Sequence, residues 1–193
     1  MPRTGKGHFA VKELKLKRTL MDAAQMDRVI RRMAGQIIER NPDPEHMVLV
    51  GIRTRGVPLA ERLQAEIERL EGTKVPIGIL DITLYRDDLS TIAPQPVVKA
   101  THMPEQVEDH TLMLCDDVLY TGRTVRAALD ALVDFGRPRA VQLAVVIDRG
   151  HRELPIQADV VGRTVQTLDN EVIEVQFEST DGVNRVDLME RLD

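Results

Sequence analysis

The sequence predicts an α/β fold, a central, mostly parallel β-sheet flanked by helices. Three observations carry this. Residues 47–52, 112–115 and 140–147 are short continuous apolar runs, the pattern of strands covered on both faces. Helical patterns follow the first two, over 57–70 and 124–135, so strand, helix and strand recur in order. Aromatic residues make up 3% of the chain and Trp is absent, which leaves Val, Leu, Ile and Ala to fill the core of such a sheet.

Residues 1–18 carry Arg3, Lys6, Lys12, Lys15, Lys17 and Arg18 against a single acid, Glu13. This basic extension reads as a mobile arm, either a solvated tail or an electrostatic arm for RNA. Its second half, V-K-E-L-K-L-K, alternates as an edge strand does. The rest, 19–193, reads as a single domain. Over 22–40 an apolar stripe of Met26, Val29, Ile30, Met33, Ile37 and Ile38 predicts a helix, capped by Asp22 and ended by Asn41-Pro42. Arg28, Arg31, Arg32 and Arg40 lie on its opposite face.

Pro58 falls in the first turn of the second helix, where proline is tolerated. A strand is expected over 75–80. Residues 89–109, with Pro94, Pro96 and Pro104 and no period, read as a long flexible lid loop. In the helix 124–135, Val125, Ala128, Leu129 and Leu132 are expected inward. A short strand at 160–162 precedes a C-terminal β-hairpin, 171–177 and 184–189, turned at Asp181-Gly182.

The composition narrows the function classes. The formal net charge is −5, so RNA binding requires a local basic patch rather than the field of the whole molecule. Scarce aromatics disfavour recognition by base stacking. The single cysteine, Cys115, excludes an intrachain disulfide framework and lies in an apolar run, where a packed thiol is expected. No apolar stretch reaches membrane-spanning length and no signal-peptide core opens the chain, so a cytoplasmic protein is expected. His8, His46, His102, His110 and His151 show no metal-ligand spacing.

Chemistry concentrates at 111–124, T-L-M-L-C-D-D-V-L-Y-T-G-R-T. An apolar strand is expected to stop at Asp116 and Asp117, and a Thr-Gly turn then leads into a helix. A helix N-terminus with hydroxyls and free amides suits a phosphate. Two carboxylates before it suit ribose hydroxyls or Mg²⁺. Arg53-Thr54-Arg55-Gly56 sits at the end of another strand, where guanidinium forks match phosphate oxygens and Gly56 permits close backbone approach.

L-M-L-C-D-D-V-L-Y-T-G-R-T resembles the phosphoribosyl-diphosphate (PRPP) motif of the type I phosphoribosyltransferases: four apolar residues, two acids, then T-G-x-T. The resemblance implies the type I phosphoribosyltransferase fold and assigns 53–56 to a pyrophosphate loop, which in this family commonly holds a cis peptide. It makes 89–109 a lid over the reaction centre. Thr54, Arg55 and Gly56 would hold diphosphate, and Asp116 and Asp117 the ribose hydroxyls, directly or through Mg²⁺. Val118 and Leu119 with the turn Tyr120, Thr121, Gly122, Arg123 and Thr124 would hold the 5′-phosphate. Arg55, Arg86, Asp116 and Asp117 are the catalytic candidates.

The match widens through G-I-R-T-R-G-V-P-L-A, D-I-T-L-Y-R-D-D-L and D-R-G-H-R-E-L-P-I, covering roughly 20–190. It is similar to the branch of the family that regulates pyrimidine biosynthetic operons and also converts uracil and PRPP to UMP and diphosphate. Such proteins bind an mRNA attenuator hairpin, promoted by UMP or UTP, and form homodimers or larger homo-oligomers. The base would lie near Arg149, Val161 and Ile173. RNA contacts would fall on Arg31, Arg32, Arg40, His151, Arg152 and Arg163. The chain departs from this branch at Gly35 and Gln157, where relatives carry histidine and arginine associated with RNA contact. It departs again over 162–168 and near Gln95 in the lid. Two other readings stay open: a salvage phosphoribosyltransferase without RNA binding, and a nucleotide sensor with negligible turnover.

Overall fold

The computed structural model describes residues 13–87, 100–104 and 107–192. A five-stranded parallel sheet forms in the order β3-β2-β4-β5-β6, from Met47–Ile52 (β2), Ile77–Leu80 (β3), Thr111–Leu119 (β4), Ala140–Asp148 (β5) and Val160–Thr164 (β6). Leu14–Met21 (β1), Glu171–Gln176 (β7) and Arg185–Arg191 (β8) make a second, antiparallel sheet in the order β1-β8-β7.

Alternation along the parallel strands divides the core. Leu49, Met113, Cys115, Ala144 and Val146 share one cluster with helix α1 (Ala23–Arg40), helix α2 (Gly56–Glu71) and the inner face of the antiparallel sheet. Val48, Val50, Leu112, Leu114, Leu143 and Val145 share the other with helix α3 (Arg123–Leu132). Helix α1 starts as its sequence requires. The Asp22 carboxylate accepts from Gln25 N at 2.7 Å, and Gln25 Oε1 accepts from Asp22 N at 2.9 Å, a reciprocal capping box.

Three expectations are corrected, and one is met with a strand added. The central strand does not stop at the acid pair. Its ladder continues to Val118↔Ile147 and Leu119↔Asp148, because backbone pairing does not depend on side-chain polarity. Leu129 is 39% exposed, and the small residues Ala127 and Ala131 lie against the sheet, where they permit close approach. The expected hairpin forms, β7 pairing antiparallel with β8, and the alternating end of the basic segment adds β1 from Leu14 as a third, edge strand. In the lid segment, 89–99 and 105–106 lie outside the described residues. His102 pairs with Ile79 through bonds of 2.6 and 2.8 Å, and Val107 is buried, so this end belongs to the sheet edge and the core rather than to a loop.

The sheet order creates the site. The chain leaves β2 towards β3 on one side and returns to β4 on the other, a topological switch point. Ligands of open parallel sheets bind outside the carboxyl ends of strands at such points.

Two glycines make opposite predictions. A Cβ on Gly162 would collide with Val146 O and lie 2.8 Å from Val29 Cγ1, whereas at Gly35 nothing stands within 4 Å. Gly162→Ala should destabilise by about 1–3 kcal/mol, and Gly35→Ala should stabilise by about 0.5–1 kcal/mol. Denaturant midpoints of the two variants check both signs.

Candidate active site

The loops after β2 and β4 meet at the switch point because glycines let them. A side chain on Gly56 would strike Cys115 O, and one on Gly51 would lie 2.6 Å from Val57 Cα. Gly56 thus serves backbone packing against β4, not only the ligand approach expected from sequence. The Arg53–Thr54 peptide is cis, as the resemblance implied. Thr54 is exposed and Arg55 is half-buried at the start of α2.

Asp116 is 8% exposed, and Asp117 is partly buried beside it. Asp116 Oδ1 accepts from Asp117 N at 3.0 Å, and Asp117 Oδ1 accepts from Val118 N at 2.8 Å. Burial, then the neighbouring Asp117 charge, holds the Asp116 carboxyl well above the usual carboxylate range. Burial also raises Asp117. Two cations oppose this: the Arg86 charge acts on Asp116, and the Arg55 charge on Asp117. The four catalytic candidates therefore share one electrostatic environment. Burial pushes the adjacent Cys115 thiol far up, which makes it a core residue rather than a nucleophile.

A cavity of ≈ 230 Å³ opens over Asp116, lined by Arg86, Asp116, Val118 and the turn 120–124. Gly122, at φ 93°, turns the chain into α3 and offers no side-chain cap; Arg123 N reaches Thr121 Oγ1 at 3.4 Å, and the next helical amides are left to another acceptor. Segment 150–156 supports this turn from behind. Glu153 N and Leu154 N donate to Thr121 O at 3.0 and 3.1 Å, and Arg152 Nη1 donates to Tyr120 O at 2.8 Å. Arg123 pairs with Asp87 and Glu153, each at 2.6 Å.

The proposed base residues separate. Arg149 is buried, donates to Thr167 Oγ1 at 3.0 Å and Glu171 O at 2.8 Å, and lies 4.1 Å from the centre of the Tyr120 ring. It fastens loop 167–171 beside the turn 120–124. Val161 is half-buried on β6. Ile173 is 6% exposed in the core, where it packs rather than faces a ligand.

The cations assigned to RNA also separate. Arg32 donates to Val161 O and Gly162 O, and Arg163 to Leu20 O at 2.9 Å. Arg152 pairs with Asp148 at 2.5 Å and donates to Ile156 O at 2.8 Å. His151, at φ 58°, bonds Thr167 O through Nε2 at 2.7 Å. Arg31 and Arg40 stay exposed on α1, Arg31 with a loose 3.7 Å contact to Glu66. Sequence reasoning missed Asp181 as a site residue. Its carboxylate takes Arg55 Nη2 at 2.9 Å and Nε at 3.3 Å.

The phosphoribosyl transferase domain model matches residues 18–181. The chain therefore belongs to the phosphoribosyltransferase family. Within that family it belongs with the PyrR proteins. It is 55% identical to the bifunctional protein PyrR of Deinococcus deserti over 172 residues, which span 89% of this chain and 94% of that protein. It is 56% identical to the bifunctional protein PyrR of Clostridioides difficile over 174 residues, 90% of this chain and 98% of that one. The fold is also that of a Staphylococcus aureus hypoxanthine phosphoribosyltransferase, with TM-score 0.67, 16% identity and coverage of 92% and 93% of the two chains. A hypoxanthine phosphoribosyltransferase of Trypanosoma cruzi matches with TM-score 0.68 and 13% identity, over 92% of this chain and 98% of that one. Among the described residues no helix is long and apolar enough to cross a membrane.

The raised carboxyls set a sign for stability. A carboxyl whose folded pKa is raised stabilises the fold fully below its unfolded value, near pH 4, and that contribution is lost as pH rises through the folded value. Asp116→Asn should match wild-type stability at about pH 4 and exceed it increasingly as pH rises from there towards the raised folded value. Denaturation midpoints across this range test it, and a variant less stable than wild type at the upper end contradicts it.

Proposed function

We propose that the chain transfers the phosphoribosyl group of PRPP to uracil, giving UMP and diphosphate, and that bound uridine nucleotide promotes its binding to a hairpin in pyrimidine operon mRNA. One observation carries the enzymatic half: the buried Asp116 carboxyl, with Asp117 bonded beside it, and a helix start without a side-chain cap meet at a single cavity at the switch point, which Asp116 and the turn line. Such a cavity matches the two ends of one ribose 5-phosphate, hydroxyls at Asp116 and Asp117 and phosphate at 121–124.

As the C1–O bond to diphosphate loosens, the ribose gains oxocarbenium character and uracil nitrogen forms the new bond to C1, giving up its proton to solvent or to the departing diphosphate. The electron pair of the broken bond leaves with diphosphate. Arg55 stabilises this departing charge, Thr54 and the backbone to Gly56 orient it, and Arg86 balances Asp116 from the other side. Loop 167–171, fastened by Arg149, lies beside the base. The acid pair also fits Mg²⁺: this ion typically takes one or two carboxylates plus substrate phosphates, and ionised Asp116 and Asp117 supply hard oxygens that burial leaves in need of positive charge. When bound with PRPP, Mg²⁺ would neutralise diphosphate charge.

For RNA, Arg31 and Arg40 on α1 offer the exposed phosphate contacts, and Arg32, His151, Arg152 and Arg163 shape the neighbouring surface. Phosphate contacts of this kind give affinity without sequence choice. A homodimer or larger homo-oligomer fits the same reading. A salvage enzyme without RNA binding is the second reading, favoured by the commitment of Arg32, Arg152 and Arg163 to carbonyls and by Gly35 and Gln157.

The protein should form UMP from uracil and PRPP, and Asp117→Asn should lower the rate by about 10²-fold or more. In a filter-binding assay, the leader of its own pyrimidine operon should bind with strong salt dependence and more tightly with UMP. UMP formation without such binding selects the salvage reading; binding without UMP formation selects the sensor.

A further inference from the structure

The Asp181–Arg55 pair joins two parts of the molecule that the sequence keeps 126 residues apart, and nothing in the reaction outlined above uses it. Asp181 closes the single helical turn Glu178–Asp181 between β7 and β8, and its side chain is 18% exposed. The turn is fixed: Phe177, 1% exposed, anchors it in the core, and Gly182 ends it at φ 75°. Phe177 N donates to Asp181 Oδ2 at 3.0 Å, so the carboxylate is held before it meets the guanidinium. Burial pushes the Asp181 carboxyl up, but Arg55 and the Phe177 amide together outweigh it and hold it below its ordinary value.

The direction of the bond pair matters more than its existence. A guanidinium has five N–H donors, on a side edge (Nε with one Nη) and an end edge (both Nη). Asp181 takes Nε at 3.3 Å and Nη2 at 2.9 Å, which is the side edge, and does not touch Nη1. The end edge, which also forms a fork, points away from the anchor. Arg55 remains 41% exposed, and the Asp117 charge acts on it. Anchoring one edge fixes the plane of the other, and so removes the rotamer freedom a long arginine otherwise loses on binding.

We propose that Asp181 is a positioning residue: it grips the side edge of Arg55 so that the end edge is presented to the diphosphate of the substrate. This rests on the reading of Arg55 as the diphosphate ligand. It makes the antiparallel sheet a working part of the site, since the turn between two of its strands orients a cation on the parallel sheet. The pair persists when diphosphate binds, because the two anions use different edges.

Asp181→Asn keeps an acceptor for Phe177 N but loses the charge and turns an amide donor towards Arg55. The KM for PRPP should rise by roughly tenfold, the loss of one hydrogen bond to a charged group, while the KM for uracil is unchanged. Asp181→Glu should restore part of this. In an Arg55→Gln background, Asp181→Asn should add nothing further. Calorimetric titration with magnesium diphosphate reads the same loss without turnover. If wild type binds magnesium diphosphate but forms no UMP, the catalytic reading fails and this titration still decides the role of Asp181. Four results overturn the inference: an unchanged PRPP KM, tighter diphosphate binding in Asp181→Asn, an equal effect with and without Arg55, or an Asp181→Asn protein that cannot fold while Arg55→Gln folds. A wild-type protein that binds neither PRPP nor magnesium diphosphate overturns both readings.

Discussion

Two adjacent carboxylates taken out of water at the end of the central strand are the constraint on which the structure turns. Ionised carboxylates are costly to bury unless positive charge or hydrogen-bond donors meet them. Here each accepts one backbone amide, and Arg55 and Arg86 act on them from neighbouring loops. That partial compensation leaves both carboxyls raised, a state that favours arrival of hydroxyl donors or a cation. The pair is thus a cost in the empty fold and a binding resource in the occupied one.

The rest of the architecture can be understood as support for that pair. Switching the chain direction between β2 and β4 sets the 53–56 loop beside the acid pair, and Gly56 allows that loop to close up on the β4 backbone. Segment 150–156 backs the turn 120–124 through Thr121 O and Tyr120 O, and Arg149 couples that turn to loop 167–171 through the Tyr120 face. The antiparallel sheet contributes Asp181 to the side of Arg55. Each contact links elements far apart in the chain, so the site is a product of tertiary structure laid over a local motif.

Much of this was legible in the residue order. The buried strands, the cap at Asp22, the two site loops and their place at strand ends follow from local patterns whose physics is short-range. The extension of β4 through Asp116 and Asp117 was not, because polar side chains mark a strand's end to the eye while the backbone ladder ignores them. Leu129 misled for a related reason: a periodic stripe ranks residues by size, and a sheet face closely approached takes Ala127 and Ala131 instead. Arg32, Arg152 and Arg163 each also donate to main-chain carbonyl oxygens, which every residue carries, so no sequence pattern marks those contacts. Asp181 looked like ordinary turn chemistry, and only the folded position of Arg55 gives it a second role.

The position of a bound nucleotide tests the central claim most directly. In a crystal of the protein with UMP, the 5′-phosphate should accept amides of the 121–124 turn at about 3 Å, and the ribose hydroxyls should meet Asp116 or Asp117, directly or across a metal ion. A nucleotide lodged away from the acid pair, with the cavity over Asp116 filled only by water, would contradict the account.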